Sequence, residues 1–244
     1  MSRVVVVVQA RLASSRLPAK ILLDLGGTTA LERCLRRVRR FEGIAEVVVA
    51  TSDTPGDDVV AAVGKRLGAR VVRGSETDVL SRFAKAARET NADAIVRCTS
   101  DCPLLDPAVS SAVIARFLGE QGDYAANVLE RRYPRGLDTE IMSRAALDRA
   151  DREATSADER EHVTLHLYRR PEVFRLLPVL PGDGEDHSAH RWTLETLEDY
   201  RFLHGLFERL GGRADEADHL EVLALLAKHP ELSAINAHVA QKHV

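Results

Sequence analysis

The chain lacks any apolar run of the roughly 18–20 residues needed to cross a bilayer. Its most apolar stretch, Val4 to Val8, is far too short. That stretch has no secretory layout either, because Arg11, Arg16 and Lys20 follow it where a small-residue cleavage site should lie. Cysteine is scarce: three residues, an odd number without a secretory pattern, fit a reducing cytoplasm and exclude a disulfide scaffold. A dominant sign of charge is missing too. With 34 Lys and Arg against 37 Asp and Glu, a net charge of −3, neither a nucleic-acid polymer nor a membrane surface is an expected partner. Neither the P-loop pattern G-x-x-x-x-G-K-[ST] nor the dinucleotide fingerprint G-x-G-x-x-G occurs. There is no internal repeat and no low-complexity tract.

What remains is an ordinary globular composition, 45% hydrophobic and 29% charged, over 244 residues, enough for one large core. The charge is unevenly spread. Through Ala50 there are nine Lys and Arg against four Asp and Glu, a bias that suits a small anionic ligand.

The first half alternates strand and helix patterns. Val4 to Val8 reads as a strand buried on both faces. Leu31, Cys34, Leu35 and Val38 fall at helical spacing behind a Thr29 cap. Strands are expected at Glu46–Ala50, Arg70–Val72 and Ala94–Val96. Helices are expected around Val59–Leu67, Val79–Ala87 and Val109–Phe117. Such alternation implies a parallel sheet with helices on both faces and a ligand beyond the carboxyl ends of its strands. After Gly122 the rhythm breaks. A turn at Tyr133–Gly136 leads to a strand at Leu137–Met142 and a helix capped by Ser143. Another strand is expected at Val173–Leu180, a loop at Pro181–Gly184 and a helix at Thr196–Leu210. Two more helical patterns follow, around Leu220–Ala227 and Leu232–Val239. We expect one domain: a nucleotide-binding half over 1–122, a completing half over 123–210 and a helical tail over 211–244.

The segment from Gln9 to Lys20 carries the most chemistry. Three cations, Arg11, Arg16 and Lys20, and two hydroxyls, Ser14 and Ser15, leave the carboxyl end of a buried strand. Guanidinium groups grip phosphate oxygens in pairs and lysine adds a point charge. Backbone N–H groups of the Ser-Ser turn add an anion nest. On charge alone, the same cluster reads as a solvated surface loop.

Arg11, Ser14, Ser15, Arg16, Leu17, Pro18 and Lys20 resemble the R-x-x-S-x-R-L-P-x-K signature of sugar-activating cytidylyltransferases, the group of CMP-sialic acid and CMP-Kdo synthetases. The resemblance is closest to the spore-coat-polysaccharide, SpsF-like branch, through five further blocks in order. These are Arg73–Phe83, Val96–Pro107, Tyr133–Glu140, Arg160–Thr164 and Arg191–Glu195 with Glu198–Tyr200. The tail beyond Leu210 is not covered. The resemblance implies a three-layer α/β/α sandwich of glycosyltransferase-A-like nucleotidyltransferase type with a mostly parallel central sheet, often dimeric, so a homodimer is expected. It implies an Mg²⁺-dependent transfer of CMP from CTP to a small acceptor. A glycosyltransferase of the same fold is the alternative, although Asp101-Cys102-Pro103 lacks the second acid of a D-x-D motif.

By the same resemblance, Arg11, Arg16 and Lys20 are the catalytic cations, and Gln9, Ala10, Ser14 and Ser15 belong to the nucleotide loop. Arg73, Ser75, Asp78 and Arg82 are expected near base and ribose, although Asp78 also suits a plain helix cap. Asp101 is expected to hold the metal with an acid in the late T-x-D block, where this chain has Glu195, one methylene longer. Asp101 also suits a turn or cap before Pro103, and Asp199 and Asp106 are reserve ligands. Asn127, Tyr133, Arg135 and His162 are the expected acceptor residues, with Arg135 suited to a carboxylate or phosphate. His162 and His166, four apart on an expected helix, have zinc spacing but no third ligand. Cys98 and Cys102 read as buried thiols, Trp192 as a packing residue, and His187 and His190 as part of a flexible connection.

Overall fold

A computed structural model describes residues 2–182 and 184–241. Asp183, in the loop expected at 181–184, lies outside the described residues. The elements run β1 (Val4–Gln9), α1 (Ala30–Val38), β2 (Glu46–Ser52), α2 (Asp58–Arg66), β3 (Arg70–Gly74), α3 (Val79–Thr90), β4 (Ala94–Thr99) and α4 (Pro107–Glu120). They continue through β5 (Tyr124–Ala126), β6 (Glu140–Ser143), α5 (Arg144–Glu153), α6 (Ala157–Glu161), α7 (Leu165–Tyr168), β7 (Leu176–Pro178), α8 (Leu197–Leu210), α9 (His219–Lys228) and α10 (Pro230–Asn236).

The five valines of β1 set the layering. Val4, Val6 and Val8 pack into one apolar cluster with α1 and α4, while Val5 and Val7 pack into a second with α3 and α5. Each is fully buried, worth about 1.5–3 kcal/mol apiece as an upper estimate. A third cluster gathers Trp192 with α8, α9 and α10. Arg37 ties that layer to α1: its buried guanidinium donates to the carbonyls of Leu105, Ala214 and Ala217.

Helix starts follow their caps. The Thr29 hydroxyl accepts from the Glu32 N–H, and the Glu32 carboxylate accepts from the Thr29 N–H, closing a capping box. Ser143 caps α5 as expected, and Thr196, expected as the first residue of the last long helix, caps α8.

The sheet order is β3-β2-β1-β4-β6-β5-β7. β1 pairs in parallel with both β2 and β4, so the chain leaves it in opposite directions across the sheet. The loops after β1 and β4 therefore diverge and open a crevice between them. The sheet is mostly parallel, but β6 runs antiparallel to both β4 and β5.

Several expected boundaries are corrected. The strand expected at 173–180 spans only Leu176–Pro178. β5 was not expected, because three residues show no periodicity. His162 and His166 do not share a helix: Val163, at φ 53°, breaks the chain between α6 and α7. His166 is buried beside Glu159, whereas His162 faces the crevice. Among the described residues no group of three or more His, Cys, Asp or Glu converges as a metal cage.

Candidate active site

The loop after β1 is held at both ends. The Ala10 N–H donates to the Ala50 carbonyl at 3.0 Å, and the Leu12 N–H to Asp57 Oδ1 at 2.8 Å. The Ala19 N–H returns to the Leu12 carbonyl, and Ala19 adopts a left-handed conformation, φ 53°. That bend starts a 3-10 turn at Lys20–Leu22 and turns Lys20 back toward the sheet.

Each loop cation meets an acid from another part of the chain. Lys20 Nζ lies 2.5 Å from Asp101 Oδ2, Arg16 Nη2 lies 2.8 Å from Glu195 Oε1, and Arg11 Nη2 lies 3.0 Å from Glu161 Oε1. Asp101 stands in the turn after β4, and its carbonyl accepts from the Leu194 N–H at 2.8 Å, which brings the Thr193–Glu195 segment alongside. Burial pushes the Asp101 carboxyl upward, but the Lys20 ammonium and hydrogen bonds from Thr99 and its own backbone outweigh it and hold it below the usual carboxylate range.

Two cavities meet here. One, about 610 Å³, is lined by Gln9, Arg11, Ser14, Ser15, Arg16 and Lys20 among others. The other, about 620 Å³, is lined by Val128, Leu129 and Tyr168 together with Arg97, Arg131 and Arg135 and the acids Asp138 and Glu140. Asp101, His162, Glu195 and Gln241 line both. The first chamber also carries Asp158 and Glu161 beside its three cations, and Asp101 and Glu195 therefore stand at the junction of the two. Their hard oxygens suit a divalent ion that takes its remaining ligands from phosphate and water.

In the second cavity most cations are already matched. Arg131 makes two bonds to Asp138, at 2.8 and 3.0 Å. Arg97 pairs with Glu140, its register partner across β4 and β6, and Glu140 also accepts from Tyr124 and Thr164. No carboxylate among the described residues lies within ion-pair distance of Arg135. Burial lowers the Arg135 pKa, and Arg131 adds to that. Burial likewise pushes His162 down, which keeps its imidazole neutral at pH 7.

The structure does not bring every expected residue to these cavities. Ala10 is buried and serves as a backbone anchor. Arg73 holds the β2–α2 connection instead, donating to the Ser52 and Thr54 carbonyls and pairing with Asp58. Ser75 accepts from the Asp78 N–H. Asp78 caps α3 through the Ser81 N–H and is paired with Arg160, the plain reading of that residue. Arg82 is fully buried against Gly74, and its guanidinium nitrogens have no partner among the described residues.

On the acceptor side, Asn127 is also buried, clamping the Leu137–Thr139 turn from both ends of its amide. Tyr133 packs in the third cluster against His219. Neither reserve ligand is available. Asp106 caps α4 and holds His219, and Asp199 is locked to Arg191. The three cysteines and Trp192 are buried, as expected.

Four contributors were not expected: Glu161, the Arg97–Glu140 pair, the Arg131–Asp138 pair and Gln241. Asp138 and Glu140, two apart entering a strand, were a legible sign of a polar face. Gln241 had no such sign.

The model of the cytidylyltransferase family matches residues 5–226, so the match extends past Leu210 through most of α9. The chain is 31% identical over 236 residues to the Bacillus subtilis spore coat polysaccharide biosynthesis protein SpsF, covering 95% of this chain and 97% of that one. It is 30% identical to 3-deoxy-manno-octulosonate cytidylyltransferase of Solibacter usitatus, covering 91% and 93%. A solved cytidylyltransferase from Leptospira borgpetersenii superposes with a TM-score of 0.91 at 31% identity over the whole of both chains. The crevice between β1 and β4, with its cations and its acid pair, thus belongs to a member of the cytidylyltransferase family, a CTP-dependent nucleotidyltransferase.

Proposed function

We propose that this chain transfers CMP from CTP to a small acceptor bearing a carboxylate or phosphate, releases pyrophosphate, and uses Mg²⁺ held by Asp101 and Glu195. The observation that carries this reading is the shared wall. Asp101 and Glu195 line both the chamber of Arg11, Arg16 and Lys20 and the chamber of Arg135. A triphosphate in the first and an acceptor in the second would meet at those acids.

An acceptor oxygen attacks the α-phosphorus, a hydroxyl giving up its proton to water as it does so, and the bond from that phosphorus to the bridging oxygen breaks. Pyrophosphate leaves with the electron pair. Arg11, Arg16 and Lys20 donate to the phosphate oxygens and stabilise charge growing on the leaving group. Ser14 and Ser15 add hydroxyl and backbone donors, and Gln9 borders the same chamber. Bound there, Mg²⁺ would supply charge neutralisation between the phosphates and the acceptor oxygen. Lys20 and Arg16 exchange their carboxylates for phosphate oxygens, which leaves Asp101 and Glu195 for the ion. Arg135 orients an acidic acceptor, and neutral His162 lines the path between the chambers. No covalent nucleophile is required, because positioning and electrostatics carry phosphoryl chemistry of this kind. Arg73, Ser75, Asp78 and Arg82 stay candidates for the base and ribose only if the 73–82 segment rearranges on binding. The family resemblance supports a role in polysaccharide precursor synthesis, a homodimer and a cytoplasmic setting.

Pyrophosphate release from each of the four NTPs, with a panel of sugar acids, phosphonates, sugar phosphates and neutral sugars, tests this reading. CTP with an anionic acceptor and Mg²⁺ should be the efficient combination, and chelation should abolish it. Turnover with neutral sugars alone would remove Arg135 from acceptor binding.

A further inference from the structure

Glu195 stands where the family pattern has an aspartate, and its extra methylene adds a rotatable bond to a side chain that must present a carboxylate at a fixed place. The structure removes that freedom through a chain of contacts ending in the tail. Arg191 Nη2 holds Glu195 Oε2 at 2.6 Å and Asp199 Oδ2 at 2.9 Å, while Arg191 Nε holds Asp199 Oδ1 at 2.8 Å. Arg191 Nη1 donates to Gln241 Oε1 at 2.5 Å. Asn236, at the end of α10, donates to Asp199 Oδ1 at 3.0 Å and to the Arg191 carbonyl at 2.9 Å. Asp199 is fully buried and also accepts from the Glu195 and Thr196 N–H groups, both at 3.0 Å. One carboxylate oxygen of Glu195 is thus pinned, and the other, Oε1, faces the phosphate loop and Arg16.

We infer that the C-terminal strap is a positioning device for the metal carboxylate: Gln241 fixes Arg191, and Arg191 fixes Glu195 so that Oε1 is presented to the ion. Gln241 lies beyond the stretch matched by the family model, residues 5–226, yet it lines both substrate cavities. An amide oxygen is suited to this task. It satisfies a guanidinium N–H without adding a negative charge that would compete with Glu195 for Arg191 or for the ion.

This inference rests on the metal reading of Asp101 and Glu195, and its test separates the two. Mn²⁺ binding to the CTP complex, read from the free-ion EPR signal with no acceptor present, is measured for wild type, Gln241→Ala, Glu195→Asp and the double variant. Thermal unfolding without metal or nucleotide serves as the structural readout. Gln241→Ala should weaken Mn²⁺ binding about tenfold, as loss of an outer partner does at metal sites, with the unfolding midpoint unmoved. Adding Gln241→Ala to Glu195→Asp should weaken it no further, because the shorter acid no longer reaches Arg191. Equal Mn²⁺ affinity in wild type and Gln241→Ala, or losses that simply multiply in the double variant, would overturn the strap's role. A wild-type CTP complex that holds no Mn²⁺ would instead overturn the metal reading itself.

Discussion

Replacing Lys20 by methionine keeps the stem and removes the ammonium that sits 2.5 Å from Asp101. The two side chains are only 14% and 19% exposed, so the pair lies between the surface and buried limits. Surface pairs contribute about 0–1 kcal/mol, and stranding one partner of a buried pair costs about 3–5 kcal/mol. About 2–3 kcal/mol of stability should therefore be lost at pH 7. The sign of the pH dependence follows from Asp101. Its carboxyl is held below the usual range in the folded protein, so its contribution is present above the unfolded pKa of about 4 and disappears as pH falls through the lowered folded value. In Lys20→Met burial is opposed only by the hydrogen bonds from Thr99 and the Asp101 backbone, so that carboxyl rises relative to wild type. Urea unfolding should then show the gap between the two proteins widest at pH 7 and shrinking steadily below about pH 4. Added Mg²⁺ should narrow the gap at pH 7, since it supplies Asp101 with a replacement charge. In pyrophosphate release, kcat should fall about 10²–10³-fold, the loss expected for one donor to a developing oxyanion. A stability gap that is flat with pH would show that Lys20 does not compensate Asp101, and an unchanged kcat would remove Lys20 from the reaction.

Two other perturbations probe the frame that holds the site. Gly136 has φ 108°, and a Cβ there would fall 2.7 Å from the Trp192 carbonyl carbon and 2.9 Å from the Thr193 N. Gly136→Ala should cost about 3 kcal/mol or more, from left-handed strain of about 1–3 kcal/mol plus a backbone clash, and should raise KM for the acceptor by displacing Arg135. Wild-type acceptor KM in a folded Gly136→Ala protein would disconnect that turn from binding. Asp106 is held at about 2 by the ring and backbone N–H groups of His219 and the N–H of Val109, against the opposing effect of its burial. Set against about 3.9 unfolded, this contributes roughly 2–3 kcal/mol above pH 4 that is lost as pH falls toward 2. Thermal scans from pH 7 to 2.5 should therefore show wild type converging on Asp106→Asn, and parallel curves would exclude Asp106 as an acid-sensitive tie.

The parts of the fold that were legible are those long enough to show a period or end in a cap. Five valines in a row admit little but a strand with both faces covered, and Thr29, Ser143 and Thr196 mark helix starts that the backbone obeys. β5 and the pair α6 and α7, at three to five residues each, are too short to complete two periods of their own pattern. The site divides along a similar line. Arg11, Arg16 and Lys20 were legible because they leave the carboxyl end of a central strand, where topology places a ligand whatever the residue types. Arg73, late in β3, and Asp78, just after it, also lie at a strand's carboxyl end, but residue type does not say whether an arginine or aspartate faces a ligand or holds the fold. Here Arg73 ties the β2–α2 connection and Asp78 caps α3.

What no linear pattern carries is the pairing of charges across the crevice. Lys20 with Asp101, Arg16 with Glu195 and Arg11 with Glu161 join segments far apart in the chain, and each pair is invisible until the sheet assembles. The pairing also answers a question posed by the composition, how a protein with net charge −3 keeps three cations poised for a polyanion. Unpaired and half-buried, those cations would repel one another and cost several kcal/mol. Matched to Glu161, Glu195 and Asp101, they are compensated as they stand, and on the proposed reading would remain so when a triphosphate takes the acids' place. On that reading, the same exchange would make binding of the nucleotide and of the ion mutually dependent, because each would release the partners the other requires.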